Sequence, residues 1–148
     1  MAENDHDPGY VVHVDDVDPA PVRLADGWRD MDIRFVVTSD RSGSDEITFF
    51  RTVFPPGAAH ERHLHTNADE FLYVISGSAA IGAGDREHPA PAGTVQYIPR
   101  GVVHWLRNLD PDEPVYLVGG YVGAGSLEAS GYEFVSEITP EYRQVVTP

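Results

Sequence analysis

The chain has 148 residues and a formal net charge of −14, because 24 acidic side chains outnumber ten basic ones, all of them arginines. A surface this acidic repels phosphate backbones and anionic lipids, which argues against nucleic-acid and membrane partners. Cysteine is absent, which excludes both a disulfide framework and a thiolate metal site.

Residues 1–21 are predicted to form an acidic arm, partly mobile, in front of one domain that spans residues 22–148. The arm has no lysine or arginine, although Tyr10–Val14 predicts a strand within it, with a solvated tail as the alternative. The acidic start is unlike a secretory signal, and no stretch is apolar for long enough to cross a bilayer. We therefore expect a cytoplasmic protein.

A hairpin is predicted next, with strands over residues 31–37 and 46–54 and a turn over residues 40–45. Alternation in the second strand puts Phe50 and Thr52 on one face and Arg51 on the other. An inward Arg51 would bury a cation beside the histidines that follow, which is costly unless an anionic substrate or a buried acid offsets it. We therefore predict that Phe50 and Thr52 face inward.

The next segment carries candidate metal ligands. His63 and His65 are two residues apart, so on a strand their side chains share one face. The polar stretch 66–69 predicts a turn, and the apolar run 71–75 predicts the second strand of a hairpin that returns Glu70 to the histidines. His60 is predicted to be a surface histidine on the approach loop, with a residue that contacts the substrate or supports a metal ligand as the alternative.

A fourth candidate ligand, His104, follows a predicted strand over residues 94–98 and a Pro99–Gly101 turn. If His104 faces inward, Leu106 shares its face and Trp105 packs on the opposite face. Three imidazoles and one carboxylate without a thiolate suit divalent iron, nickel, manganese, cobalt or zinc. The sequence leaves the identity of the metal open.

The C-terminal part predicts a central strand over residues 115–118, in which Tyr116 offers a hydroxyl to the pocket. The glycine-rich stretch 119–125 predicts tight bends or close approach of a ligand. A brief strand over residues 132–135 and a helical turn near residues 140–143 follow. Short strands separated by Gly/Pro turns favour an all-β, single-domain jelly roll.

Two motifs carry a family resemblance. Residues 57–77 match G-x5-H-x-H-x4-E-x6-G, and residues 93–108 match G-x5-P-x-G-x2-H-x3-N. With every fixed position present, the chain resembles the cupin superfamily. The resemblance implies a jelly-roll β-barrel, a homodimer in which the N-terminal arm packs on a partner subunit, and one divalent metal ion per chain, held by His63, His65, Glu70 and His104.

The resemblance also implies a metal-dependent enzyme, and we expect a mononuclear dioxygenase acting on an oxygenated or aromatic small molecule. The alternatives are a non-oxidative enzyme (polyketide cyclase, isomerase, decarboxylase or lyase) with the metal as Lewis acid, and a binding protein without turnover. Glu70 is the candidate catalytic residue, as metal ligand or as general base. The candidate substrate-binding residues are Phe50, Thr52, Leu106 and Tyr116.

Overall fold

The computed structural model of the protein describes residues 9–143 and 145. Its strands are β1 (Trp28–Arg29), β2 (Asp32–Val37), β3 (Ile47–Phe54), β4 (Ala59–His65), β5 (Asp69–Ser76), β6 (Ser78–Ala83), β7 (Arg86–Pro91), β8 (Val95–Ile98), β9 (His104–Asn108), β10 (Val115–Val122) and β11 (Tyr132–Ser136). One short helix, α1 (Ser39–Ser42), and 3-10 turns at Val14–Asp16, Leu24–Asp26 and Pro140–Tyr142 complete the described elements. None of the described helices is long and apolar enough to cross a membrane.

The strands form two antiparallel sheets. The first has the order β1-β4-β9-β6-β7, with β11 also paired to β4, and the second has the order β2-β3-β10-β5-β8. The apolar residues that face the space between the sheets form one large core, which includes Phe50, Phe54, Leu72 and Leu117. The predicted all-β jelly roll is confirmed.

Strand β3 shows how the pleat sorts its side chains. Phe50 and Thr52 are buried between the sheets, as predicted. Arg51 faces the other way and lies 3.5 Å from Asp32 of the neighbouring β2, so its charge is paired outside the core. Alternation of side chains along a strand is sufficient to explain this arrangement.

The predicted hairpin between the two histidines and Glu70 is wrong. Strand β4 pairs with β1, β9 and β11, whereas β5 pairs with β8 and β10. The residues between β4 and β5 therefore carry the chain from one sheet to the other. A hairpin within one sheet and a crossing to the other sheet both need only a short polar turn, so the composition of the turn does not distinguish them. As a consequence, Glu70 reaches the histidines from the opposite sheet.

Strand β10 runs through Gly119 and Gly120, where tight bends were predicted. A Cβ atom on Gly119 would lie 2.3 Å from the carbonyl oxygen of Phe71, and one on Gly120 would lie 2.3 Å from that of Thr48. These glycines therefore allow β10 to lie close to β3 and β5, its neighbours in the sheet.

Two local predictions near the N-terminus are also corrected. Tyr10–Val14 forms no strand; a 3-10 turn begins at Val14, and the Tyr10 hydroxyl donates to the Val36 carbonyl at 3.1 Å. Where a turn was predicted over residues 40–45, the first residues belong instead to the short helix α1 (Ser39–Ser42). The arm also contacts β2 through Val17, whose carbonyl accepts from Arg34, and through Ala20, whose N–H donates to the Ile33 carbonyl. Residues 1–8 are outside the described part, and the domain boundary at residue 21 stays a prediction.

Candidate metal centre

The two sheets bring four potential ligand side chains together. His63 and His65 lie on β4, His104 lies on β9, and Glu70 lies on β5. Pairing of β4 with β9 sets His63 directly opposite His104, while Glu70 comes from the facing sheet. All four side chains are buried, and one donor atom from each lies within 4.8 Å of all the others.

The imidazole nitrogens fit a metal ion because their Nε2 atoms converge. Among the described residues, Nε2 of His63 and Nε2 of His65 are buried without a hydrogen-bond partner. His104 Nε2 lies 2.7 Å from Glu70 Oε2, and His65 Nε2 lies 3.5 Å from the same oxygen. Buried polar atoms normally have a partner, so two orphaned lone pairs beside a carboxylate are the arrangement expected of a metal site. The four residues can therefore hold one divalent ion.

Hydrogen bonds on the far side of each ring fix which nitrogen is free. His63 Nδ1 lies 2.6 Å from the Glu61 carbonyl, and His104 Nδ1 lies 2.9 Å from the Val102 carbonyl. A carbonyl oxygen only accepts, so both Nδ1 atoms carry the proton and donate it. In His63 this leaves the lone pair on Nε2, the nitrogen that points to the centre of the cluster. His104 Nε2 lies 2.7 Å from the Glu70 carboxylate, which only accepts, so this nitrogen donates to Glu70 and would give up its proton to bind a metal ion.

Ser130 does the same for His65. Its hydroxyl lies 2.8 Å from His65 Nδ1 and donates its only proton to the Leu127 carbonyl. The hydroxyl oxygen must therefore accept from His65 Nδ1–H, which leaves the lone pair of His65 on Nε2. Ser130 was not predicted as a site residue, because nothing in the local sequence pattern distinguishes this serine from one in an ordinary turn.

Burial and charge set the protonation states. Desolvation lowers the pKa of His63 well below its ordinary value, so this ring is neutral at neutral pH. Burial opposes ionisation of Glu70, but the contacts with His104 and His65 outweigh it and lower the pKa of this carboxyl. Burial lowers and the Glu70 carboxylate raises the pKa of His104, with a net upward shift. The cluster thus supplies an ionised carboxylate with imidazole ligands beside it.

A cavity of about 380 Å³, the open space at its mouth included, adjoins this cluster. Of the predicted substrate-binding residues, Phe50, Thr52 and Leu106 line it. The other lining residues include the apolar side chains Met31, Ile33, Phe54, Leu72 and Leu117. No arginine or lysine is among the described residues that line the cavity. Whether these side chains bind a substrate stays a prediction.

The prediction that Tyr116 lines the cavity is wrong. Its side chain is 39% exposed on the outer face of the sheet, whereas its neighbour Leu117 points inward. Tyr121 is the tyrosine of β10 that reaches the cavity, because it shares the inward parity of Leu117. Burial raises the pKa of the Tyr121 hydroxyl well above its ordinary value, so the hydroxyl stays protonated.

The prediction for His60 is wrong as well. His60 lies in β4, is only 9% exposed and lines the cavity. The pairing of β4 with β9 shifts register between His60 and His63, so two residues three apart face the same side. A β-bulge of this kind changes which residues share a face, and the spacing alone does not reveal it.

Tyr132 of β11 anchors His60. The Tyr132 hydroxyl donates to the Asp26 carbonyl at 2.5 Å and lies 3.1 Å from His60 Nε2. The Tyr132 hydroxyl donates its single proton to Asp26, so its oxygen accepts a hydrogen bond from His60 Nε2–H.

Trp105 packs away from the ligand cluster, as predicted, and its Nε1 donates to Glu87.

Comparisons with known proteins indicate the family and the fold of the chain. The family model described as "Cupin domain" matches residues 50–119. Protein SchB of Streptomyces halstedii is 31% identical over 98 residues, which are 66% of this chain and 67% of that protein. Oxalate decarboxylase OxdC of Bacillus subtilis is 37% identical over 67 residues, which are 42% of this chain and 17% of the decarboxylase.

A solved structure extends the comparison to most of the chain. The polyketide cyclase RemF from Streptomyces resistomycificus superposes with a TM-score of 0.70 over 89% of this chain and 94% of the cyclase. The two sequences are 22% identical. This likeness shows a shared fold.

Proposed function

The chain belongs to the cupin superfamily, and from this premise we propose that it is a metal-dependent enzyme acting on a small, uncharged molecule of the aromatic or polyketide class. The observation that carries the proposal is the cavity beside the candidate metal centre. Apart from His63, Glu70 and His104 of the candidate centre itself, its lining is mainly apolar, with Thr52, His60 and Tyr121 as further polar groups. Apolar walls with a few polar groups suit a substrate that is mostly carbon and carries some oxygen atoms.

The lining argues against a small dianion such as oxalate as the substrate. Burying two carboxylates is costly unless cationic side chains compensate their charge. No arginine or lysine is among the described lining residues, and Arg51 is turned away and paired with Asp32. The similarity to oxalate decarboxylase covers 17% of that protein and gives no support for a shared substrate.

We propose non-oxidative ring closure as the reaction. The fold shared with the polyketide cyclase over most of both chains supports this choice. A divalent ion bound by His63, His65, Glu70 and His104 would polarise a substrate carbonyl as a Lewis acid. Ring closure then requires removal of a proton from a carbon next to a carbonyl, formation of a carbon–carbon bond to a second carbonyl, and loss of water. No oxidant is consumed.

The chain's own residues supply the remaining functions. Glu70 is the one carboxylate among the described lining residues, so it is the candidate to accept the proton from carbon if it leaves the metal ion. Tyr121, whose hydroxyl stays protonated, can donate a hydrogen bond to a substrate oxygen. Phe50, Leu106 and the other apolar walls hold the carbon chain and exclude bulk water.

A dioxygenase acting on the same class of substrate is the second candidate. The donor set favours it, because three imidazoles and a carboxylate without a thiolate also suit Fe(II). The apolar cavity is compatible with both reactions. The two candidates differ in one measurable property, the requirement for oxygen.

The test is a turnover assay of protein reconstituted with Zn(II) or Fe(II), with and without oxygen. The panel contains poly-β-ketone mimics, diketones, flavonols and phenols, with oxalate as the charged comparison. We expect cyclised product without oxygen and with Zn(II), and none from Glu70→Gln. A strict requirement for Fe(II) and oxygen would reject the non-oxidative cyclase and favour the dioxygenase. Turnover of oxalate alone would reject both substrate assignments.

A further inference from the structure

A second cavity lies next to the cavity at the candidate metal centre, which we now call the first cavity. Its volume is about 570 Å³, the open space at its mouth included. It is lined by residues 20–22 at the end of the N-terminal arm, by Phe35, Thr38 and Asp40, and by residues 126–128 after β10.

Backbone hydrogen bonds hold the walls of the second cavity against the barrel. The Ala20 N–H donates to the Ile33 carbonyl of β2 at 2.8 Å, and the Ser39 N–H donates to the Gly125 carbonyl at 2.8 Å. A Cβ atom on Gly125 would lie 2.8 Å from the Ser44 carbonyl oxygen, so the loop after β10 packs closely on the segment after α1. The second cavity is therefore formed before any ligand enters, as small-molecule sites usually are.

The aromatic ring of Phe35 separates the two cavities. Phe35 lines the second cavity and packs on Phe50 and Tyr121, which line the first, with ring centroids 6.0 and 6.4 Å apart. Strand β2 passes along both cavities, since Ile33 lines the first and Phe35, two residues further on, lines the second. Rotation of the half-buried Phe35 side chain would join the two cavities.

The lining of the second cavity indicates which kind of molecule it accepts. Val22, Phe35 and Leu127 are half-buried and pack on the hydrophobic core, so the floor of the cavity is apolar. Asp40 and Glu128 are exposed lining residues, and no arginine is among the described residues that line the cavity. A phosphate or carboxylate group would meet like charges there without a compensating cation. An uncharged carbon chain is the complementary ligand.

We propose that the second cavity is a subsite for the far end of an elongated, uncharged substrate whose reacting end lies at the candidate metal centre. This proposal rests on the proposed function, which puts the reacting carbonyl in the first cavity. Phe35 then determines the length of substrate that the protein accepts. A short molecule occupies the first cavity alone, whereas a longer one displaces the Phe35 ring and continues along β2 into the second cavity.

Isothermal titration calorimetry of the full chain reconstituted with Zn(II) tests the proposal. The probes are acetylacetone, acetylacetone extended by an n-octyl chain, and the same extended diketone ending in a carboxylate. The wild type should bind the neutral extended probe at least tenfold more tightly than acetylacetone, because each methylene group that is buried strengthens binding about fourfold. The probe that ends in a carboxylate should bind less tightly than the neutral extended probe.

Thr38→Trp places an indole ring in the second cavity. The Thr38 side chain makes no capping hydrogen bond to α1, so the substitution removes none. Thr38→Trp should lower the affinity for the neutral extended probe at least tenfold and leave the affinity for acetylacetone unchanged, which also shows that the variant is folded. Phe35→Leu should strengthen binding of the extended probe alone. The matched control, Ser78→Trp at an exposed position of β6, should bind both probes like the wild type.

Failure of the second subsite is distinguishable from failure of the proposed function. Binding of acetylacetone without a preference for the extended probe, or a preference that survives in Thr38→Trp, would reject the second subsite and leave the proposed function standing. Binding of neither diketone would reject both. Tighter binding of the probe that ends in a carboxylate would overturn the assignment of an uncharged chain, and unchanged affinities in Phe35→Leu would overturn the role of Phe35.

Discussion

The ring of His60 stacks on the ring of His63, with centroids 3.5 Å apart and planes inclined by 14°. On its other side His60 stacks on Trp28 at 3.9 Å. His63 is a candidate metal ligand, whereas His60 is held by Tyr132 and lies outside the ligand cluster. The stack therefore fixes the plane of a candidate ligand through a residue that does not bind the metal.

We predict that His60→Ala lowers the free energy of unfolding by about 2–5 kcal/mol, the range for truncating a large buried side chain. His60→Phe keeps an aromatic ring between Trp28 and His63. It should lower the free energy of unfolding by only about 1 kcal/mol, because it loses only the hydrogen bond to Tyr132. Urea denaturation of both variants measures the difference. Equal loss in the two variants would show that the stack contributes nothing to stability.

We predict that Ser130→Ala weakens metal binding about 10- to 100-fold, as is typical when the partner of a ligating histidine is removed. Without the hydroxyl, His65 Nδ1–H loses its acceptor, and the orientation of the ring is no longer fixed. Competition with a chromophoric chelator measures the affinity. Ser78→Ala, at an exposed position of β6, is the control. Unchanged affinity in Ser130→Ala would show that Ser130 does not orient His65.

We predict that Tyr121→Phe lowers kcat/KM about five- to tenfold for the substrate found in the turnover panel, which corresponds to one hydrogen bond of about 1–1.4 kcal/mol. Tyr116→Phe is the matched control, because Tyr116 lies on the same strand but faces outward. Steady-state kinetics of both variants provides the comparison. If Tyr116→Phe causes the larger loss, the assignment of the cavity-facing tyrosine is wrong.

Glu87 supports β9 from the side opposite the ligands. It is buried and accepts hydrogen bonds from Arg107 Nε at 2.7 Å and from Trp105 Nε1 at 3.0 Å. We predict that Glu87→Ala lowers the free energy of unfolding by about 3–5 kcal/mol, because it leaves a buried charge without its partner. Asp85→Ala, at an exposed turn position, should change little in the same chemical denaturation experiment. A loss below 1 kcal/mol for Glu87→Ala would contradict this account.

The sequence was sufficient to predict which four side chains form the candidate ligand cluster and which face of β3 points inward. Short-range spacing explains two parts of this: His63 and His65 share a face because they are two residues apart, and Phe50 and Thr52 do so for the same reason. His104 was assigned from the second motif, since spacing within a strand cannot relate residues that lie on β4 and β9.

The errors arose where the fold depends on contacts between distant segments. A polar turn after His65 was compatible with a hairpin or with a crossing to the other sheet, and the pairing of β5 with β10 decides between them. The bulge that turns His60 inward arises from the pairing of β4 with β9. Ser130 reaches His65 from 65 residues away. None of these relationships leaves a periodic signal in the local sequence.

The central claim is that the four buried residues bind one divalent metal ion. The most direct measurement is elemental analysis of protein purified without an affinity tag or chelator, together with His63→Ala, His104→Ala and the control His88→Ala. His88 is an exposed histidine on β7, so its loss removes one imidazole from outside the candidate centre. We predict one equivalent of a divalent transition metal in the wild type and in His88→Ala, and little in folded His63→Ala or His104→Ala. Absence of metal from the wild type even after reconstitution, or full occupancy in both ligand variants, would contradict the account.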